Sequence, residues 1–146
     1  MSGDDFALHP RLAADTATVC DLGLCRVLLM DDATWPWLIL VPRRAALREL
    51  IDLPRAERHL LDDEIALASH VLLSLHRPDK LNVAALGNVV EQLHVHVIAR
   101  HVGDPAWPAP VWGRQPPLAH SPADLQTRLA SLAATFSAAM RELSHH

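Results

Sequence analysis

Only two cysteines occur in the 146 residues, and neither is flanked by a second Cys or His pair at zinc-finger spacing. A zinc module built on them is excluded. Cys20 and Cys25 each lie inside an apolar segment and read as buried thiols, which behave as small hydrophobes. The chain has no basic stripe either: 13 Lys+Arg are scattered against 17 Asp+Glu, for a net charge of −4, which excludes a long nucleic-acid partner. No run approaches the roughly 18 apolar residues that a membrane span needs. Met1-Ser2-Gly3-Asp4-Asp5 is acidic, without the basic-then-apolar pattern of a signal peptide, so a cytoplasmic location and no membrane partner are expected. There are no internal repeats and no low-complexity linker. What is present is 50% hydrophobic and 21% charged residues in a length suited to one core, which predicts a single domain over residues 1–146.

The apolar runs at residues 25–30 and 37–41 are separated by Asp31-Asp32-Ala33-Thr34 and Pro36, and read as an antiparallel strand pair that Pro42 stops. Residues 43–53 are expected to hold a short helical turn. Pro54 suits the first turn of a helix in which Leu61, Ile65, Ala68, Leu72 and Leu75 recur at helical spacing, ending near Arg77 because Pro78 follows. Residues 81–86 and 93–100 read as two further strands joined through Gly87-Asn88. A last helix, over about 121–143, opens with Ser121 as N-cap and Asp124 as in a capping box, and carries Leu125, Leu129, Leu132, Phe136 and Met140. This order of elements predicts an α+β fold with a largely antiparallel sheet.

Chemistry concentrates in residues 82–100. Alternation on the second of these strands assigns Leu93, Val95 and Val97 to one face and Gln92, His94 and His96 to the other. Side chains two apart on a strand are about 6.6–6.8 Å apart, close enough to address one phosphate group. Imidazole suits that chemistry, since its neutral nitrogen is nucleophilic near neutral pH and its protonated form can donate to a developing anion. Two other readings of the H-x-H pair stay open at this point. With ten histidines in the chain, the pair can be solvent-facing residues of a half-exposed strand. It can also hold a metal for a hydrolytic reaction if Asp104 or His101 supplies a third ligand.

The segment Gly87-Asn88-x-x-x-Gln92-Leu93-His94-Val95-His96-Val97-Ile98-x-Arg100 resembles the histidine-triad motif, in which three histidines alternate with apolar residues. The resemblance extends to residues 37–43, to Lys80-Leu81-Asn82 and to Gly103-Asp104-Pro105-x-Trp107-Pro108, covers about residues 20–115, and is most similar to short bacterial histidine-triad proteins. It implies a hydrolase or transferase acting at the α-phosphorus of a purine nucleotide, such as a diadenosine polyphosphate or a nucleoside phosphoramidate. It also implies a homodimer whose sheets join across the two-fold axis, and no required cofactor. By the same resemblance His94 is the nucleophile that becomes a nucleotidyl-histidine, and His96 donates to a phosphate oxygen or the leaving group through a charge-assisted contact. Asn88 falls where relatives hold the phosphate, and Asn82 and an acid at Asp31 or Asp32 near positions used around the nucleoside, Asp31 being the choice for the ribose hydroxyls. The departure is Gln92, which stands where the first histidine is expected. Its amide still donates and accepts but carries no charge, so proton handling is weaker and a nucleotide-binding regulator with little turnover is the alternative reading.

Elsewhere, Trp107 and Trp112 in the Pro-rich stretch 104–117 read as loop anchors with a second reading as a cover over a bound base. Arg43 and Arg44 read as solvated, with a phosphate contact as the alternative. Asp62-Asp63-Glu64 reads as a solvated face, and His145-His146 as a tail.

Overall fold

The computed structural model describes residues 5–143, so His145 and His146 lie outside the described residues. Strands β1 (Thr16–Asp21), β2 (Cys25–Met30), β3 (Trp37–Pro42), β4 (Lys80–Ala84) and β5 (Val95–Arg100) form one antiparallel sheet in the order β1-β2-β3-β5-β4. Helices α1 (Pro10–Asp15), α2 (Arg55–His76) and α3 (Pro122–Leu143) complete an α+β fold with the antiparallel sheet that the order of elements predicts. The short turn expected within 43–53 is a 3-10 helix at Leu50–Asp52. α2 stops where Pro78 forbids continuation: Arg77 adopts a left-handed conformation and its N–H bonds the Leu73 carbonyl.

Two boundaries differ from expectation. β4 ends at Ala84 and β5 begins at Val95, so residues 85–94 form a loop rather than strand ends. Gly87 turns that loop at a φ of 78°, which a side chain would strain. α1 and β1 carry no local signal in the sequence. α1 is six residues long, too short to show a helical period, and no residue of β1 is fully buried.

Both faces of the sheet are covered, which explains why β5 is buried along its whole length. On one face Val27, Leu38, Leu40, Val95 and Val97 pack with Leu61, Ala68, Val71 and Leu72 of α2 and Leu132 and Phe136 of α3. Each large apolar side chain fully buried in this way contributes about 1.5–3 kcal/mol. On the other face Leu28, Trp37, Ile39, Val41 and Ile98 pack with Leu12 of α1 and with Ala106 and Val111 of the segment after β5. The acidic run is not wholly solvated: Asp62 and Asp63 are exposed, but Glu64 is 5% exposed. Its carboxylate accepts the backbone N–H groups of Leu24 at 2.9 Å and Cys25 at 2.8 Å, at the β1–β2 turn. Left unpaired in the interior, each N–H would cost about 1–3 kcal/mol.

Candidate active site

β5 runs between β3 and β4, with His96 directly opposite Ile39 on one side and Ala84 on the other. His94 is the last loop residue before the strand. The two rings lie edge to face with centroids 4.9 Å apart, and are only 7% and 5% exposed, which excludes a solvated pair.

Neighbouring groups fix what each ring can do. His94 Nδ1–H donates to the Gln92 backbone carbonyl at 2.6 Å, because a carbonyl can only accept. In the neutral ring the lone pair is therefore on Nε2. His96 is held the opposite way, since its Nδ1 accepts the indole N–H of Trp37 at 3.0 Å, which leaves the hydrogen on Nε2. Burial, reinforced by the nearby His94, pushes the His96 pKa down to about 4. His96 is thus a neutral donor at neutral pH rather than a protonated one, and the charge in its expected contact would come from the phosphate acceptor. Across one groove the pair offers a nucleophilic lone pair and a hydrogen-bond donor.

That groove, of about 310 Å³, is lined by both histidines together with Arg11, Met30, Asn88 and Trp112. An adjoining lobe of about 500 Å³ shares Arg11, Met30 and Trp112 and adds Asp31 and Asp32. Volumes of this size suit a small ligand. Trp112 closes one wall, 5.0 Å from His96 and 5.8 Å from Trp37 between ring centroids. It is carried there by a segment clamped on Arg100, which is 1% exposed. Arg100 forms a fork to both Asp104 oxygens at 2.7 and 3.0 Å, donates to Ala109 O and Asn82 Oδ1, and lies 5.7 Å from the Trp107 ring. The guanidinium holds the Asp104 carboxyl far below the ordinary carboxylate range. Trp107 therefore anchors the segment, whereas Trp112 covers the site.

The other expected site residues divide. Asn88 lines the groove, is exposed, and makes no side-chain hydrogen bond among the described residues. Asp31 lines the adjoining lobe, with Oδ1 taken by the backbone N–H and Nδ1 of His120; these bonds lower its pKa. Asn82 is on the same sheet face as His96, but its carbonyl oxygen is spent on Arg100 and it does not line the groove. Gln92 lines a separate cavity with His94, but it precedes the strand, so alternation does not govern it. Its Oε1 accepts the His9 N–H and its Nε2 donates to Ala7 O, both at 2.9 Å. Arg43 and Arg44 are occupied by the Leu22 and Gly23 carbonyls and by Glu57, respectively. Neither third ligand proposed for a metal is available: Asp104 serves Arg100, and His101 Nε2 contacts the His76 carbonyl. Among the described residues no three His, Cys, Asp or Glu side chains group to hold a metal ion. Sequence reasoning missed Arg11, which no motif marks, and Trp37 as the residue that sets the His96 tautomer.

Residues 11–103 match the HIT domain family. No curated protein matches the chain. Among solved structures, a histidine triad protein of Bradyrhizobium japonicum is 48% identical over 90% of this chain and 98% of its own, with a TM-score of 0.87. One from Marinobacter aquaeolei VT8 is also 48% identical, over 90% and 96%, with a TM-score of 0.88. A third, from Sinorhizobium meliloti 1021, is 41% identical over 92% and 99%, with a TM-score of 0.89. The domain match spans the strand that bears His96 and the loop residue His94 before it, and with these three likenesses it shows that the chain belongs to the histidine triad family.

Proposed function

We propose that this protein is a hydrolase or transferase that acts at the α-phosphorus of a purine nucleotide through His94. The observation that carries the reading is the pair of opposed tautomers, His94 with its Nε2 lone pair and His96 with its Nε2–H in one groove. The Nε2 lone pair of His94 attacks phosphorus as the bond to the leaving group breaks, and the leaving group departs with that electron pair. The ring now carries positive charge, which the Gln92 carbonyl stabilises through Nδ1–H. His96 Nε2–H, on a neutral ring, donates to a phosphate oxygen or the leaving atom and steadies the negative charge there. Attack by water, or by another acceptor, then breaks the phosphorus–nitrogen bond and returns its pair to Nε2.

Asn88 holds the phosphate, and Asp31, ionised and steadied by His120, takes the ribose hydroxyls. Asn82 acts only through Arg100 and so has no direct contact with the nucleoside in this reading. No helix among the described residues is long and apolar enough to cross a membrane, and two free thiols suit a reducing compartment such as the cytoplasm. The chain pairs with a second copy along β4, an edge strand of the sheet, where Val83 is 48% exposed.

Incubation with diadenosine polyphosphates, nucleoside phosphoramidates and nucleotide sugars, read by nucleotide release, tests the reading. Release from one of the first two classes, lost in His94→Ala with nucleotide affinity kept, is the expected result, since a nucleophile contributes mainly after binding. Undiminished turnover in His94→Ala contradicts the mechanism, and binding without release identifies a nucleotide-binding regulator instead.

A further inference from the structure

Gln92 grips the chain's N-terminal segment at two backbone positions. Its Oε1 takes the His9 N–H and its Nε2 gives a hydrogen bond to Ala7 O, contacts that span 83 and 85 residues of sequence. The strap is also seated by side chains: Phe6 and Leu8 pack against the core on the His96 face of the sheet, and Leu12 is buried in it. Immediately after the grip, His9 Nδ1 accepts the Arg11 N–H at 3.0 Å, which fixes the backbone of Arg11. Arg11 lines both the groove that holds the histidines and the adjoining lobe, and among the described residues no other Lys or Arg lines either. The remaining charged groups there are acidic: Asp15, Asp31 and Asp32.

Such a groove has little to attract an anion except Arg11. His96 is neutral, and its Nδ1 is committed to Trp37. The guanidinium itself is loosely engaged, 3.7 Å from Asp15 with both side chains more than half exposed, a pair of the kind that contributes little in solvent. A planar guanidinium with several N–H donors matches two phosphate oxygens at once.

We propose that Arg11 is the phosphate-binding cation of this site, delivered to the groove by an N-terminal strap that Gln92 clamps. The inference rests on the nucleotide reading above. It gives the residue that replaces the first histidine of the motif a different role. Gln92 is a positioning residue, and the positive charge near the phosphate comes from another part of the chain.

Calorimetric titration of the full chain with AMP and with adenosine tests this. Arg11→Gln is expected to weaken AMP by roughly tenfold to a hundredfold, the worth of hydrogen bonds to a charged group, while adenosine binding stays as it was. Arg11→Lys should fall between, because it keeps the charge but not the fork. Gln92→Leu should weaken AMP selectively, and adding Arg11→Gln to it should cause little further loss. Equal AMP affinity in Arg11→Gln, or an equal loss for adenosine, overturns the role of Arg11 and leaves the nucleotide reading standing. Unchanged AMP affinity in Gln92→Leu overturns the strap. A wild-type protein that binds neither ligand overturns the nucleotide reading and this inference with it. If Gln92→Leu does not fold, the two Arg11 variants decide, since that side chain is exposed.

Discussion

His94 and His96 are the same residue type two positions apart, yet one backbone carbonyl and one indole N–H give them opposite tautomers. The Trp37 bond has a further consequence, because a proton on His96 Nδ1 would face a donor. With the folded pKa of His96 near 4 and an ordinary imidazole near 6.5, the unfolded chain binds more protons between those values. Its contribution is therefore complete above about pH 6.5 and lost as the pH falls toward 4, a difference of roughly 3 kcal/mol. His76, also lowered by burial and then by Arg128 and His101, acts in the same direction. Asp31 and Asp104, whose pKa values are depressed, contribute stability that is lost only at lower pH, as they protonate. Urea unfolding at pH 7.5 and pH 4.5 should show a clearly smaller acid loss in His96→Gln than in the wild type. Identical losses in the two proteins would contradict the neutral, Trp37-bound state of His96.

At the scale of elements, the sheet has two edge strands; β1 contacts α1 and α3, so β4 is the edge along which the proposed homodimer would join two sheets. Sedimentation should give a dimer for the wild type, and Val83→Asp, which sets like charges close together across the joined edges, should shift it toward monomer. A wild-type monomer, or a dimer indifferent to Val83→Asp, would contradict pairing along β4. The long elements are legible in the sequence because their periodicity is local: α2, α3 and the β2–β3 pair follow from apolar spacing and from Pro42, Pro54 and Pro78. Residues 92–94 are not, since they read as the start of a strand while the ladder begins at Val95. The destination of the Gln92 amide depends on a segment more than 80 residues away, and no local pattern encodes such a contact. The burial of Glu64 is hidden for the same reason, because its partners are amides at the far β1–β2 turn. His94 and His96 can be singled out because H-x-H beside alternating apolar residues is a local signal. Their tautomers cannot, since Trp37 lies 59 residues from His96.

Over the whole molecule, His96 stands on a strand buried along its full length with His94 just before it, and the groove is walled by α1, by residues 86–90 and by Trp112 of the segment after β5. Helices α2 and α3 cover one face of the sheet, while the strap with α1 and the Arg100-clamped segment meet over the other. Packing of this kind holds the rings in their orientation before a ligand arrives, which is what an attack by His94 Nε2 on phosphorus requires. If that attack is the reaction, the nucleotidyl group must reside on His94 between the two steps. Rapid quenching of the wild-type protein during turnover of a nucleoside phosphoramidate, followed by intact-mass measurement and peptide mapping, tests this most directly. An acid-labile nucleotidyl adduct on His94, missing in His94→Ala, is the predicted result. Turnover without any adduct, or an adduct mapped to His96, would contradict it.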